Sequence, residues 1–227
     1  MNKYSIFILS LCFAVCSGCA DQSDPYKQFV VKEGIRYPQA AEGLTSTAGY
    51  YRAQITWDKP TDPSVKQAKV FWNNRNDSLA VDFSDFSGDI EIIIDDLPED
   101  SQSFVVYTYD SFGNRSIPRE TTTTIFGDRY MRSLIARSIS SYGINPDGKA
   151  QIDWNSATPN LDHTELQYKS SGGTWKTVTV AANEATTIID DINTSKPECF
   201  KYRSVYSLST CIDLLYKDWQ ESETPIQ

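Results

Sequence analysis

The stretch Ala53-Gln54-Ile55-Thr56-Trp57 decides the fold, because it recurs 97 residues later as Ala150-Gln151-Ile152-Asp153-Trp154. Two further anchors recur in the same order. Residues 93–97 return as 188–192, and residues 104–107 return as 200–203, at offsets of 95 and 96. Three anchors at nearly one offset predict two copies of a single domain of roughly a hundred residues, the size of an immunoglobulin-like sandwich.

Short β-like runs separated by turn residues fill both copies, and amphipathic helical patterns are nearly absent. This pattern predicts an all-β fold with two tandem immunoglobulin-like sandwiches. The predicted strands are 51–57, 68–72, 79–83, 90–95, 104–109 and 121–126 in the first copy, and 150–154, 165–168, 175–180, 186–189, 200–206 and 212–216 in the second.

The N-terminus has the pattern of an export signal. Lys3 precedes a short apolar run, which ends at Ser17-Gly18-Cys19. The run is shorter than the ~18 residues that span a bilayer, so residues 1–18 are predicted to be a signal peptide. The ending resembles the bacterial lipobox, although Cys16 stands where that motif prefers Leu, and this resemblance implies lipidation of Cys19. An ordinary secretory signal with a chance cysteine is the alternative.

The remaining boundaries follow from the repeat and from composition. Residues 19–33 are the lipidated cysteine and a polar tether. Residues 34–127 and 137–220 are the first and second sandwiches, joined by a short linker at 128–136, and 221–227 form a tail. Tyr130 and Leu134 are four residues apart, so one helical turn would place both on a face that could wedge between the domains. A plain extended connection is the alternative.

Composition argues against several partners and activities. The formal net charge is −9, and a chain this acidic is repelled by phosphate backbones, so we expect no nucleic-acid binding. His163 is the single histidine, and no serine-elbow sequence accompanies it. A zinc site needs several His or Cys ligands, so no metal and no cofactor is expected.

Paired carboxylates could serve a glycoside hydrolase. Asp95-Asp96 and Asp190-Asp191 recur because the fold repeats, and turn chemistry explains them better than catalysis. Asp82, Asp85 and Asp89 are interpreted as an acidic solvated loop rather than a calcium site, because their spacing does not fit the EF-hand pattern. No catalytic residue is therefore assigned.

Aromatic side chains are the candidate ligand contacts. Strand alternation places Ala68 and Val70 inside and leaves Phe71 outside, and it places Trp175 on an exposed face. Trp219 lies near the C-terminus. Exposed aromatics can stack on sugars or anchor a protein partner, although packing at a sheet edge also explains them.

Two smaller features concern modification. Asp77-Ser78-Leu79 resembles the acceptor for O-glycosylation in Bacteroidota, which makes Ser78 a candidate site. Cys199 and Cys211 lie on the last two predicted strands, and a regular hairpin pairs Cys211 with a residue near Tyr206. Cys199 would then lie too far along the strand for a disulfide, so two free thiols are predicted.

Two resemblances extend this interpretation. The strand tryptophans Trp57 and Trp154, the corner at 97–101 and the hairpin at 110–116 resemble the fibronectin type III fold. Most of residues 30–220 also resembles a family of Bacteroidota outer-membrane lipoproteins built on tandem fibronectin type III-like domains. The residues that carry this second resemblance are Gly34-Ile35-Arg36-Tyr37-Pro38, Tyr130 with Leu134 and Arg137-Ser138-Ile139, and residues 200–206 with Ile212-Asp213.

The resemblance implies an outer-membrane location, with the leaflet side open, and a role in glycan capture as one option. It implies no catalytic residues. We therefore expect a non-enzymatic cell-envelope lipoprotein that acts as an interaction or spacer module, bound to the membrane through its lipid and to a glycan or another envelope protein. The alternatives are a glycan-binding surface lipoprotein linked to polysaccharide uptake, and a hydrolase with paired carboxylates.

Overall fold

The computed structural model describes residues 37–193 and 198–226. In that part of the chain it contains fifteen β-strands and one short α-helix. The predicted signal peptide, Cys19 and the tether lie outside the described residues. Within the described residues, no helix has the length and apolar character needed to cross a bilayer.

The first sandwich consists of a three-stranded sheet, in the order β1-β2-β5, and a four-stranded sheet, in the order β4-β3-β6-β7. Every pairing within these sheets is antiparallel. The strands are β1 (Thr45–Ala48), β2 (Ala53–Trp57), β3 (Val65–Trp72), β4 (Asp77–Asp82), β5 (Ile90–Ile94), β6 (Asp100–Asp110) and β7 (Arg119–Ile125).

The second sandwich repeats this arrangement, with β12-β9-β8 in one sheet and β11-β10-β13-β14 in the other, where β15 also pairs with β13. The strands are β8 (Ile139–Ile144), β9 (Ala150–Trp154), β10 (Leu161–Lys169), β11 (Trp175–Ala181), β12 (Thr186–Ile189), β13 (Lys201–Ser207), β14 (Leu214–Tyr216) and β15 (Gln220–Glu221). No sheet among the described residues mixes strands of the two copies.

The repeated stretch occupies the same place in both copies. In β2 and in β9, alternate residues are buried, since the period of two sends every second side chain into the core. Ile55 and Ile152 are fully buried, and their cross-strand partners are Ile92 and Thr187. The topology thus confirms the predicted all-β fold with two tandem sandwiches.

The predicted strands all exist, with boundaries that shift by a few residues. Three strands were not predicted: β1, β8 and β15. The last hairpin has a different register from the predicted one, because Tyr206 pairs with Leu215 rather than with Cys211. Cys199 and Cys211 are both free thiols in the structure.

A short helix, α1 (Asp128–Ser133), connects the two sandwiches. Met131 from this helix packs with Leu161, Tyr206 and Leu215 of the second sandwich, and Tyr130 and Leu134 pack against the same cluster. The helical alternative for the linker is therefore correct, and the extended alternative is wrong. Beyond β15, Ile226 from the predicted tail is buried in the second core.

Candidate functional site at the junction of the two sandwiches

The junction is centred on one carboxylate of the second sandwich that binds a turn of the first. Arg52 Nε donates to Asp213 Oδ2 at 3.0 Å, and a terminal nitrogen of the same guanidinium contacts Oδ1. The backbone N–H of Tyr50 also donates to Asp213 Oδ2, at 2.8 Å. A bidentate arginine pair with an additional backbone donor fixes distance and direction at once. We call this arrangement the Asp213 clamp.

Main-chain contacts reinforce the clamp. The N–H of Ile212 donates to the carbonyl of Ala48 at 2.8 Å, and Ala48 forms a parallel bridge with Cys211. Gly49 lies where the two segments approach each other, since a Cβ there would come within 2.9 Å of Ile212 Cγ1. A larger residue at position 49 would therefore push the segments apart.

The electrostatics of the clamp follow from its contacts. The hydrogen bond from Arg52 lowers the pKa of Asp213, and the Tyr50 backbone N–H adds to this effect against the opposing effect of burial. Burial raises the pKa of the Cys211 thiol. The hydrogen bond from the Tyr50 hydroxyl to Asp128, together with burial, raises the pKa of Tyr50 to about 12.

Helix α1 is held from both sides. The Glu99 carboxylate of the first sandwich accepts the backbone N–H groups of Arg129 at 2.9 Å and Tyr130 at 2.7 Å. These are donors that the first turn of a helix leaves unsatisfied. At the other end, Lys217 Nζ of the second sandwich donates to the carbonyl of Met131 at 2.7 Å. The connection between the sandwiches is therefore structured along its length.

A groove runs beside the clamp. One part encloses about 470 Å³ and an adjoining part about 270 Å³, and Tyr50 and Tyr216 line both. The first part is also lined by Arg52, Asp95, Asp213, Leu214 and Leu215. Its volume falls within the range of small-molecule sites, which occur preferentially at domain interfaces.

The structure does not bring the predicted ligand contacts together. Phe71 lies on β3 of the first sandwich, half-buried against Tyr107 with ring centroids 5.9 Å apart. Trp175 is 50% exposed at the start of β11. Ser78 is exposed on β4, directly opposite Phe71.

Trp219 belongs to a packed stack rather than an open platform. The Arg203 guanidinium lies 4.5 Å from the Trp219 ring centroid and 4.6 Å from that of Tyr216. Arg203 Nε also donates to Glu165 Oε2 at 2.6 Å. Such cation–π and ion-pair contacts hold β13 to its neighbours, so packing accounts for Trp219.

The catalytic candidates are engaged in structural contacts. His163 Nδ1 lies 2.6 Å from Asp162, and no serine hydroxyl is bonded to it in the described part of the chain. Asp191 binds Tyr168 at 2.7 Å and Lys176. Asp190 pairs with Lys149 at 2.7 Å. No three His, Cys, Asp or Glu side chains of residues 37–193 and 198–226 are grouped to hold a metal ion.

Sequence reasoning missed the groups that form the junction. Arg52 and Asp213 are 161 residues apart, and although Asp213 is among the residues that carry the family resemblance, nothing in the sequence connects it with Arg52. Glu99 belongs to the corner at 97–101, and the resemblance of that corner to the fibronectin type III fold does not indicate a contact with the linker. The spacing of Tyr130 and Leu134 indicated a helical wedge but not its partners.

Comparisons with known proteins place the chain in a family. Similar solved structures include the crystal structure of the chicken CNTN1 FN1-FN3 domains, at 10% identity and a TM-score of 0.44, which covers 86% of this chain and 67% of that chain. A two fibronectin type-III domain segment from chicken tenascin is similar at 10% identity and a TM-score of 0.32, covering 81% of this chain and 98% of that one. No curated protein matches. The model of DUF4998, a domain of unknown function, matches residues 19–214, and the chain belongs to that family.

Proposed function

We propose that this chain is a non-enzymatic interaction or spacer module of the cell envelope, which presents its two sandwiches in one fixed arrangement. The Asp213 clamp is the observation that carries this proposal. Domains joined by a linker move relative to each other by default, unless their interface is large and apolar. Here an ion pair, main-chain hydrogen bonds and a structured helix together oppose that motion.

The apolar part of the junction supports the same function. Met131, Leu161, Tyr206 and Leu215 are all buried in one cluster that spans the helix and the second sandwich. Both sandwiches belong to one compact unit, residues 38–227. A module that keeps its orientation can hold a binding surface at a set position relative to its anchor.

Residual dipolar couplings measured on the mature chain test this orientation. The proposal expects both sandwiches to report one common alignment tensor. The Asp213→Asn variant removes the charge that binds Arg52, so its two tensors should diverge. Asp218→Asn removes an equal charge from the same region and should leave a single tensor. Separate tensors in the unmodified chain would contradict a fixed arrangement.

The envelope location of the module rests on Cys19. We propose that Cys19 carries the lipid and that the protein is anchored in the outer membrane, because Ser17-Gly18-Cys19 ends a short apolar run. Cys19→Ala should shift the protein from membrane to soluble fractions. Cys16→Ala, three residues earlier, is the matched control and should remain in the membrane. Membrane retention of Cys19→Ala equal to that of the unmodified protein would contradict the anchor.

Glycan binding is a second candidate, and the junction groove favours it. The exposed rings of Tyr50 and Tyr216 line both parts of the groove, and Asp95 adds a carboxylate that could accept hydroxyl groups. Titration with a panel of neutral oligosaccharides tests this function. Tyr216→Ala should abolish any binding, whereas Trp175→Ala, on a distant strand, should not.

A further inference from the structure

The outer face of the four-stranded sheet in the first sandwich carries an aromatic pair surrounded by cations. Lys69 Nζ lies 5.1 Å from the ring centroid of Phe71. The guanidinium carbons of Arg75 and Arg115 lie 5.8 Å and 4.5 Å from that of Tyr107. Cations at these distances from ring faces are attracted by the aromatic quadrupole, so the three charges are held over one pair of rings.

None of these three cations pairs with a carboxylate of the described residues. Elsewhere in the same part of the chain, most arginines do have such a partner: Arg52 with Asp213, Arg119 with Glu42, Arg129 with Asp100 and Arg203 with Glu165. The chain as a whole carries a formal charge of −9. A cluster of unpaired cations in an acidic protein creates a local field that attracts anions.

A concavity of about 360 Å³ adjoins the aromatic pair, and its lining includes Phe71, Arg75 and Glu120. The hairpin loop that carries Arg75 has an uncommon backbone. Asn73, Asn74 and Arg75 have φ angles of 49°, 53° and 66°, so three consecutive non-glycine residues are left-handed. Such conformations cost energy and cluster at ligand-contacting segments, and here the loop places Arg75 over the rings.

The neighbouring strand leaves this surface accessible from one side. β4 is at the edge of its sheet, so its outer main-chain groups pair with no strand of the described residues. Beside Phe71 and Lys69 it places only the small side chains of Ser78 and Ala80. On its other face, Leu79 is 38% exposed. A free edge with small residues on one face is a template for strand addition.

We propose that this surface binds an extended acidic polypeptide segment, which adds as a strand to β4. Alternate side chains of the segment would cross Ser78 and Ala80, so that their carboxylates meet Lys69 and Arg75 while the intervening apolar side chains cover Leu79. Arg115 adds to the attracting field. Asp77 and Asp82 at the two ends of β4 confine the acidic positions to the middle of the segment.

The free edge favours a polypeptide over an acidic polysaccharide. Main-chain N–H and C=O groups of an added strand complement those of β4, whereas a sugar chain has no matching ladder. The inference does not depend on the junction, because every residue that forms this surface belongs to the first sandwich. Asp213→Asn should therefore bind the same peptide as well as the unmodified chain does.

The first experiment measures the anisotropy of a labelled nine-residue peptide that alternates Val and Glu, titrated with the mature chain. Lys69→Gln with Arg75→Gln should weaken binding about tenfold, since charge-assisted contacts are lost. Lys201→Gln with Arg132→Gln removes two charges outside the first sandwich and should change the affinity less than about twofold, and salt should weaken the specific binding. No binding, equal weakening by both double variants, or equal binding of a Val and Lys peptide would each overturn the proposal.

The second experiment separates strand addition from simple charge attraction. N-methylation of alternate residues of the Val and Glu peptide keeps its charge but removes main-chain donors. Strand addition predicts that the methylated peptide no longer binds. Retained binding, or equally tight binding of polygalacturonate with the same dependence on Lys69 and Arg75, would overturn the assignment of a polypeptide partner.

Discussion

The two copies of the sandwich differ in the hydrogen bonding of an equivalent buried tryptophan, Trp57 in the first and Trp154 in the second. Trp57 of the first copy is 1% exposed, and its indole Nε1 has no hydrogen-bond acceptor among the described residues. Trp154 of the second copy is 6% exposed and donates from Nε1 to Thr187 Oγ1 at 3.0 Å. The cross-strand register shows the reason, because the position of Thr187 is occupied by Ile92 in the first copy.

The difference extends around the second tryptophan. Thr187 passes the hydrogen bond on to Glu184 Oε1 at 2.6 Å. Arg137 lies 5.5 Å from the Trp154 ring and donates to the carbonyls of Asn155, Ala181 and Glu184 at 2.9, 3.2 and 2.7 Å. At the repeat offset of 97, the corresponding residue of the first copy is Ala40, which is buried.

The comparison shows that the same fold can form around a buried tryptophan whose indole N–H is unpaired or around one whose indole N–H is hydrogen-bonded. The first copy fills the space with aliphatic side chains and leaves one indole N–H unpaired. The second copy gives up apolar volume for a network in which Trp154, Thr187 and Arg137 are all hydrogen-bonded. Outside this network, the buried hydroxyl of Thr164 on β10 has no partner among the described residues. An unpaired buried donor costs free energy, whereas a fully bonded network costs little while intact and much when one member is removed. The second copy should therefore be more sensitive to single substitutions.

Arg137→Met gives the largest expected effect. The substitution removes the Arg137 donors from the carbonyls of Asn155, Ala181 and Glu184, of which that of Ala181 keeps the N–H of Glu184. It also removes a charge that is 3% exposed and lies against Trp154. We expect a loss of about 3 kcal/mol in the free energy of unfolding of the second sandwich. Urea unfolding followed by tryptophan fluorescence measures it in a background with Trp57→Phe and Trp72→Phe, where the remaining tryptophans 154, 175 and 219 all belong to the second sandwich. Arg132→Met, on the exposed face of α1, should cost under about 0.5 kcal/mol. If Arg137→Met and Arg132→Met lower the free energy of unfolding equally, the polar network does not make the second core more sensitive to substitution.

Thr187→Val tests the network at its centre with little change in volume. The valine cannot accept from Trp154 or donate to Glu184, so the second core comes to resemble the first. We expect a loss of about 1–2 kcal/mol in the free energy of unfolding, the usual cost of leaving a buried donor unpaired. Thr122→Val, at an exposed position of β7, should be close to neutral. If Thr187→Val leaves the free energy of unfolding unchanged, an unpaired indole N–H does not destabilise either copy.

Acid should loosen the junction that couples the two copies. The pKa of Asp213 is lowered in the folded chain, chiefly by Arg52, so its stabilising contribution is present above the unfolded pKa of about 3.9. That contribution is lost as pH falls through the folded pKa below that value. Because Arg52 is partly exposed, we expect the loss to be only about 1 kcal/mol.

Unfolding profiles at pH 6 and pH 3 measure this effect. The difference in stability between the two conditions should be smaller in Asp213→Asn than in the unmodified chain, because the variant has no carboxylate to protonate there. Asp218→Asn should keep the full difference. If all three proteins respond identically to acid, the clamp does not couple the copies, and the two cores can be compared without reference to the junction.

Local pattern predicted the fold well where side chains are buried on a regular period. β9 and β12 have the predicted boundaries, since apolar and polar residues alternate in β9 and all four residues of β12 are β-branched. The missed strands are β1 and β8, which lie at sheet edges, and β15, which pairs only with β13. β1 contains Thr, Ser, Thr and Ala, and β15 has two residues, so neither carries an apolar pattern. Their pairing comes from a neighbouring strand rather than from their own composition.

The candidate site was less predictable because it depends on contacts between distant residues. The repeat located Trp57 and Trp154, but their polar partners follow from register, and Arg137 was noted only as part of a resemblance. The position of Phe71 on the outer face was predicted by alternation. The cations around it were not, since Arg75 reaches Tyr107 through an unusual loop conformation that composition does not reveal.

The smallest expected effect comes from introducing into the first copy the hydroxyl that accepts the tryptophan N–H in the second. Ile92→Thr places a hydroxyl at the register position that serves Trp154 in the second copy, and Ile92→Val is its isosteric control. Valine removes one methylene and should cost about 1 kcal/mol. In an apolar core, threonine is normally worse than valine because its hydroxyl is buried without a partner. Here the hydroxyl can accept from the Trp57 Nε1, so Ile92→Thr should be within about 0.5 kcal/mol of the unmodified chain. Urea unfolding followed by tryptophan fluorescence measures the pair in a background where tryptophans 154, 175 and 219 are replaced by Phe, so that only Trp57 and Trp72 of the first sandwich remain. If the threonine variant is less stable than the valine variant, the hydroxyl at position 92 does not accept from Trp57 Nε1. The matching strand register would then not be enough to reproduce the hydrogen bond of the second copy.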